Sequence, residues 1–250
     1  MAYRVKEYFC GRYLDLEIFP VTRKQTKQKR KDKKKETVPK QKNLNDKNAR
    51  KYFRRLVHLN FTDEDIVIHL TYKNGCLPKT EKEALKDVEN FLKRVKYRRE
   101  KLGLPKLKYL AIIEYKEEGE GEKEIRMHHH IIMSGGIDRD ELEKIWKKGW
   151  ANADRLRADE YGYEALVNYI TKDPKGSKRW RPSRNLEKPV PKVSDHKYKK
   201  NRVIEIAKNP DDTAIFEKNY PGYFLTNCKV QINDYTAGIH LEIKLRKLKD

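Results

Sequence analysis

Between residues 65 and 172 the spacing of apolar residues switches repeatedly between period two and period 3.6, and that order constrains the fold most. DIVIHLTYK (65–73) alternates, with Ile66, Ile68, Leu70 and Tyr72 on one face and Val67, His69 and Thr71 on the other. A turn, KNGCLP, leads to Thr80, which with Glu83 forms a capping box for a long helix. That helix carries Ala84, Leu85, Val88, Phe91, Leu92 and Val95 at helical spacing and stops at Gly103. KYLAIIEYK (108–116) and IRMHHHIIMSG read as a hairpin joined by the acidic, Gly-containing and mobile loop EEGEGEKE. Asp138 and Glu141 cap a helix ended by Gly149, the strand WANADRLRA follows, and the helix GYEALVNYITK runs to Asp173, before Pro174. The order is β-α-β-β-α-β-α. It predicts an α+β fold with an antiparallel central sheet and helices on one face, in the manner of the split βαβ of ferredoxin-like folds.

The flanks read differently. Residues 1–20 form an N-terminal β arm of alternating strands. Residues 21–47 are nearly all polar, with dense Lys and Arg. They cannot bury a core, so a flexible basic segment is expected, in contact with phosphates. A helix over NDKNARKYFRRLVHLNF leads into the central region, giving a main domain over 48–189. Residues 190–250 are a β-rich extension with strands near 223–232 and 238–246.

With 59 Lys and Arg against 38 Asp and Glu, the formal net charge is +21, so a polyanionic partner is expected and a small-molecule substrate is not. Fifteen Tyr and three Trp supply faces on which bases stack. Cys10, Cys76 and Cys228 are far apart and contain no CxxC, which fits a reducing cytoplasm. The N-terminus lacks the pattern of a signal peptide, and no apolar run approaches the roughly 20 residues needed to span a bilayer. The expectation is a soluble, cytoplasmic protein with no membrane partner.

Three of the seven histidines stand together in HHH. Strand alternation divides them: His128 and His130 share one face, and His129 joins Ile131 and Met133 on the other, as a core histidine. Two imidazoles so spaced can hold one metal ion. The hairpin register brings Glu114, an acid in the otherwise apolar LAIIEYK, opposite the 126–130 region, and a carboxylate there needs a cation. Such a site suits a non-haem iron or a hard cation, Mn²⁺ or Mg²⁺, at a phosphoryl oxygen; the charge of the chain favours the second. Downstream, Tyr169 and Lys172 lie three apart on one side of a helix, where a cation can favour the phenolate.

Taken in order, LTY, the Glu-bearing strand, HHHIIM and the YxxK of VNYITK resemble the HUH endonuclease superfamily, with His129 in the hydrophobic slot. More narrowly, residues 40–190 resemble its rolling-circle replication initiators related to the filamentous phage gene II protein, through NARKYFRRLVHLNFTDEDIVIHLTY, IWKKGWANADRLR and WRPSRNLEKPV. The resemblance implies a ferredoxin-like/RRM-like HUH endonuclease fold. It implies Glu114, His128 and His130 as ligands of a divalent cation, and Tyr169, with Lys172, as the nucleophile on a phosphate of single-stranded DNA at a replication origin. The products would be a 5′-phosphotyrosine and a 3′-hydroxyl primer in a bacterial host cell. No GxxxxGK[ST] occurs, so a host helicase and polymerase are implied partners. Some members use two tyrosines; Ala165 stands one turn before Tyr169, which favours a single tyrosine, with Tyr163 as the other candidate. Lys73, Arg179, Trp180, Arg181 and Arg184 are the candidate DNA grip, Trp180 serving equally as stacking platform or as anchor for the C-terminal segment. Trp146 and Trp150 are expected to pack. The alternatives are a relaxase or transposase of the same superfamily and a non-catalytic nucleic-acid-binding module, which would need exposed aromatics on its central strands.

Overall fold

A computed structural model describes residues 2–21, 39–116, 125–172, 178–233 and 238–247. Most of the basic stretch 21–47 and the whole acidic hairpin loop lie outside the described residues. The chain divides into two compact units, Met1–Leu59 with Glu160–Gly162 and Lys188–Asp250, and Asn60–Asp159 with Tyr163–Glu187.

In the second unit, β3 (Ile66–Thr71), α2 (Glu81–Lys101), β4 (Tyr109–Lys116), β5 (Ile125–Met133), α3 (Arg139–Ile145), β6 (Ala151–Arg155), α4 (Glu164–Ile170) and the short β7 (Arg181–Pro182) follow one another. The sheet order is β6-β3-β5-β4-β7, and every pair is antiparallel. The helix between β3 and β4 carries the chain past the place that β5 later fills, which is the split βαβ arrangement expected of a ferredoxin-like α+β fold. One sheet face is apolar because its strands alternate. Ile66, Ile68, Leu70, Ala111, Ile131 and Met133 pack on Val88, Phe91, Leu92 and Val95 of α2 and on Leu142 of α3. His129 belongs to this side: it is buried, and its Nε2 lies 2.9 Å from the Tyr72 hydroxyl.

The ends of α2 follow local chemistry. The Thr80 hydroxyl accepts the Glu83 N–H, while the Glu83 carboxylate reaches back to the Lys79 N–H. At the other end Gly103 has φ +67°; its N–H donates to Glu100 O and that of Leu104 to Arg99 O, a Schellman closure.

Gly149 does something the sequence pattern does not suggest. The helix expected to run to it ends at Ile145, and Trp146 caps it. Gly149 instead lies against the end of β3, where an added Cβ would stand 2.3 Å from Thr71 O, 2.5 Å from Lys73 N and 2.7 Å from Tyr72 Cα. All three are backbone atoms and cannot rotate away.

The first unit joins the two chain ends. β1 (Ala2–Cys10) and β2 (Tyr13–Val21) pair with β9 (Tyr223–Ile232), β10 (Ile239–Lys247) and the short β8 (Lys192–Ser194) in the order β8-β1-β2-β10-β9. The arm and the extension, distinct as sequence, are thus one sheet. The extension also contains α5 (Lys200–Lys208) and α6 (Ala214–Asn219), whose Val203, Ile206, Ile215 and Phe216 pack on Val5, Leu14, Leu16, Ile18, Leu241 and Ile243. Polar residues occupy the alternate positions of β2 and β10. They meet α1 (Pro39–Asn60), which begins six residues before the expected Asn45, through ion pairs. Asp15 Oδ2 accepts from Arg54 at 2.6 Å and from Arg55 at 2.9 Å; Glu17 takes Arg55 at 2.9 Å; Glu242 takes Lys51 at 2.6 Å and Lys47 at 3.2 Å. Arg55 also lies over the Tyr8 ring at 3.6 Å. Burial alone would push the Asp15 carboxyl up, but Arg54 and Arg55 outweigh it and hold it at about 2.

Two outcomes are expected. Asp15→Ala strands two buried guanidinium groups and costs about 3–5 kcal/mol in urea unfolding. Because the native pKa lies below the ordinary value of 3.8, the wild-type advantage over this variant is complete above that pH and disappears as pH falls through about 2. Gly149→Ala costs about 1–3 kcal/mol or more by thermal melting, since the backbone at the end of β3 must move.

Candidate metal centre and its tyrosine

The ladders on either side of β5 assemble the site. Glu114 is directly opposite His128 across β4–β5, and His130 is opposite His69 across β3–β5. The β4–β5 register shifts between Glu114 and Lys116, so the regular pairing ends beside the carboxylate. Glu114 Oε2 lies 3.1 Å from His130 Nε2 and 3.5 Å from His128 Nε2. Ligand atoms of the three residues fall within 4.8 Å of one another, and among the described residues no other His, Cys, Asp or Glu group could hold a metal ion in this way. The His130 side chain is 1% exposed, whereas His128 and Glu114 are 20% and 22% exposed, so the cluster has a buried floor and an open side.

The chemistry of this donor set fits a divalent cation. Among the described residues Glu114 has no Lys or Arg ion-pair partner; the groups that face its carboxylate are imidazoles. His128 Nδ1 lies 2.9 Å from Arg126 O, and a carbonyl only accepts. The ring proton therefore sits on Nδ1, and the Nε2 lone pair points toward Glu114. Burial, followed by the neighbouring His69, His128 and His129, lowers His130 to about 3, so its imidazole is neutral at ordinary pH and a nitrogen lone pair is available.

Tyr169 of α4 comes to this same face. Its ring centroid is 5.7 Å from that of His130, edge-on, and 6.2 Å from that of His69, nearly parallel. It is 61% exposed. Tyr163, by contrast, is buried, and its hydroxyl donates to Asp63 Oδ1 at 2.9 Å. Lys172 is exposed just past the end of α4, with its N–H on Tyr169 O. Sequence reasoning missed His69. The alternation of β3 already put it on the face with Val67 and Thr71; what was lacking was that β3 is the neighbour of β5, so that this face is also that of His128 and His130.

The grip candidates do not gather in one place. Lys73 is exposed where the chain leaves β3. Arg181 sits opposite Ala111, a residue of the helix-covered face, and its guanidinium lies 3.8 Å from Glu81 of α2. Arg184 lines a groove with Lys96, Lys106 and Tyr109. Arg179 is exposed and Trp180 half-buried. The two other tryptophans separate sharply. Trp146 packs as expected, on Tyr72 and Phe91. Trp150 does not: it is 81% exposed, because its backbone carbonyl is what engages β3, accepting the Thr71 N–H at 2.8 Å, while its ring is left in solvent. No helix among the described residues is long and apolar enough to cross a membrane.

Comparison with known proteins agrees with this geometry. Residues 65–174 match the family of replication-associated proteins named for ORF2 and the phage gene II protein. No curated protein and no solved structure matches the chain. The match begins just before β3 and ends just past Tyr169 and Lys172, enclosing Glu114, His128 and His130, and the domain that carries the cluster belongs to this replication-associated protein family.

Proposed function

We propose that this domain is a replication initiator that nicks and rejoins single-stranded DNA at an origin through Tyr169. The observation that carries the reading is the position of an exposed tyrosine ring against two of the histidines that surround Glu114. The family ties the chain to DNA replication, and a net charge of +21 suits a phosphate backbone.

His128 and His130, through Nε2, and Glu114, through its carboxylate, would hold a divalent cation, Mn²⁺ or Mg²⁺. Such a cation, when bound, supplies a positive charge that polarises a phosphoryl oxygen. The Tyr169 oxygen attacks phosphorus in line, the bond from phosphorus to the 3′ oxygen breaks, and the departing oxygen takes up a proton to become a 3′-hydroxyl. The phenol gives up its proton, which is costly for a group with an ordinary pKa of about 10, and positive charge beside the ring lowers that cost. Lys172 is placed by sequence to offset phosphate charge. The 5′-phosphotyrosine conserves the energy of the broken bond, so the same steps in reverse rejoin the strand. Host helicase and polymerase would open the duplex and extend the 3′-hydroxyl. Lys73 and Trp150, at the end of β3 and the start of β6, would hold the strand, the tryptophan by stacking on a base.

Incubation with end-labelled single-stranded origin DNA and Mn²⁺ is expected to give a covalent adduct that carries only the strand downstream of the nick. Tyr169→Phe abolishes it, and His128→Ala or Glu114→Ala lowers the rate at least about 100-fold, since loss of a ligand exceeds loss of an outer-shell partner. An adduct formed by Tyr169→Phe, or nicking indifferent to chelation, would overturn the reading. Trp150→Ala is expected to weaken single-strand binding by about 1–3 kcal/mol in a filter assay while leaving the melting temperature unchanged.

A further inference from the structure

His69 is not among the three cation ligands, and its position shows why. His130 has two ring nitrogens with different neighbours: Nε2 faces Glu114 at 3.1 Å and Nδ1 faces His69 Nε2 at 3.1 Å. The two imidazoles are 4.1 Å apart at 85°, which directs the edge of one ring at the other. His69 therefore approaches His130 from the side away from the carboxylate, and it also stacks on Tyr169.

A nitrogen–nitrogen contact holds only when one atom donates and the other accepts. With the cluster empty, the His130 Nε2–H donates to Glu114; its Nδ1 is then an acceptor, and His69 must present an Nε2–H. With a cation on His130 Nε2, that nitrogen supplies its lone pair; the proton is then on Nδ1, and His69 Nε2 must accept, its own proton having moved to Nδ1. An imidazole can satisfy both states, because it exchanges donor for acceptor at one atom by changing tautomer. The protons balance: one leaves His130 Nε2, one passes from His69 Nε2 to His130 Nδ1, and one is taken up at His69 Nδ1.

We propose that His69 is a positioning residue that holds the His130 ring in both states of the centre and changes tautomer together with it. This rests on the proposed cation site. It explains a histidine in the middle of an otherwise Ile-, Val- and Leu-rich strand that packs on both faces.

The direct test is the ¹⁵N spectrum of the imidazoles in the intact protein as Mg²⁺ is added. His130 is expected to change from the Nε2–H to the Nδ1–H form, and His69 to do the same at the same Mg²⁺ concentration. A change at His130 with none at His69 overturns the proposal; an absence of response at both His128 and His130 overturns the cation site itself, which separates the two failures. The second measurement is Mn²⁺ affinity by electron paramagnetic resonance. His69→Leu, which can neither donate nor accept, is expected to lose about 10–100-fold, the range for outer-shell partners of a ligand. His69→Gln, which can turn either its oxygen or its nitrogen toward His130, is expected to recover to within about threefold. Equal Mn²⁺ affinity in His69→Leu and wild type would overturn the role, as would a loss in His69→Gln as large as that in His69→Leu.

Discussion

Antiparallel pairing on both sides of β5 fixes what the domain presents to its ligand. Side chains alternate with a period of two, so a slip of one residue in either ladder would turn His128 and His130 into the α2-packed core and bring His129 to the open face. The apolar residues prevent that slip. Ile131 and Met133 are fully buried against α2, as are Ile68 and Leu70 from β3, and reversing them would expose several large side chains at a cost of roughly 1.5–3 kcal/mol each. The site geometry is therefore a by-product of core burial on the other side of the same strand. His129 belongs to the core half of this arrangement, held by Tyr72 and Trp146, and has no part in the cluster although it separates two of its members.

The two units are stabilised in contrasting ways. The sheet of the second unit has α2 and α3 on an apolar face. In the first unit α5 and α6 cover one face in that manner, while α1 meets the other through Asp15, Glu17 and Glu242. Such an interface depends on geometry more than on area. Paired charges offset their own desolvation only when each partner is in place, so it specifies the seat of α1 more strongly than it stabilises it.

Much of this was legible in the residues. The strand–helix order gave the split βαβ core, because each element has clean apolar periodicity. Alternation within HHH separated ligand candidates from core, and the placement of Glu114 opposite His128 followed from the hairpin register alone. What escaped were features that depend on which strands become neighbours. Nothing local in YRVKEYF or GIHLEIKLRK states that the two chain ends share a sheet, and His69 looks like an ordinary strand residue until β3 is known to lie beside β5. Gly149 was read as a helix stop because glycine commonly is one; its reason, a close backbone approach to Thr71 and Lys73, is a tertiary fact. Trp150 was expected to pack by its size, yet the contact with β3 is made by its backbone.

The charged seat of α1 bears on how the surplus of positive charge is distributed. Lys47, Lys51, Arg54 and Arg55 face acids of their own unit, so they contribute little to the field that draws a polyanion. The attraction must come from cations elsewhere on the chain. Ionic strength then acts unevenly across this seat. Lys47 and Glu242, 39% and 24% exposed, are screened early, whereas the pair of Arg54 with Asp15, 11% and 8% exposed, is sheltered from the counterions. Helix α1 is thus loosest where the Lys- and Arg-rich stretch enters it and tightest toward its other end, a gradient of grip along a single helix.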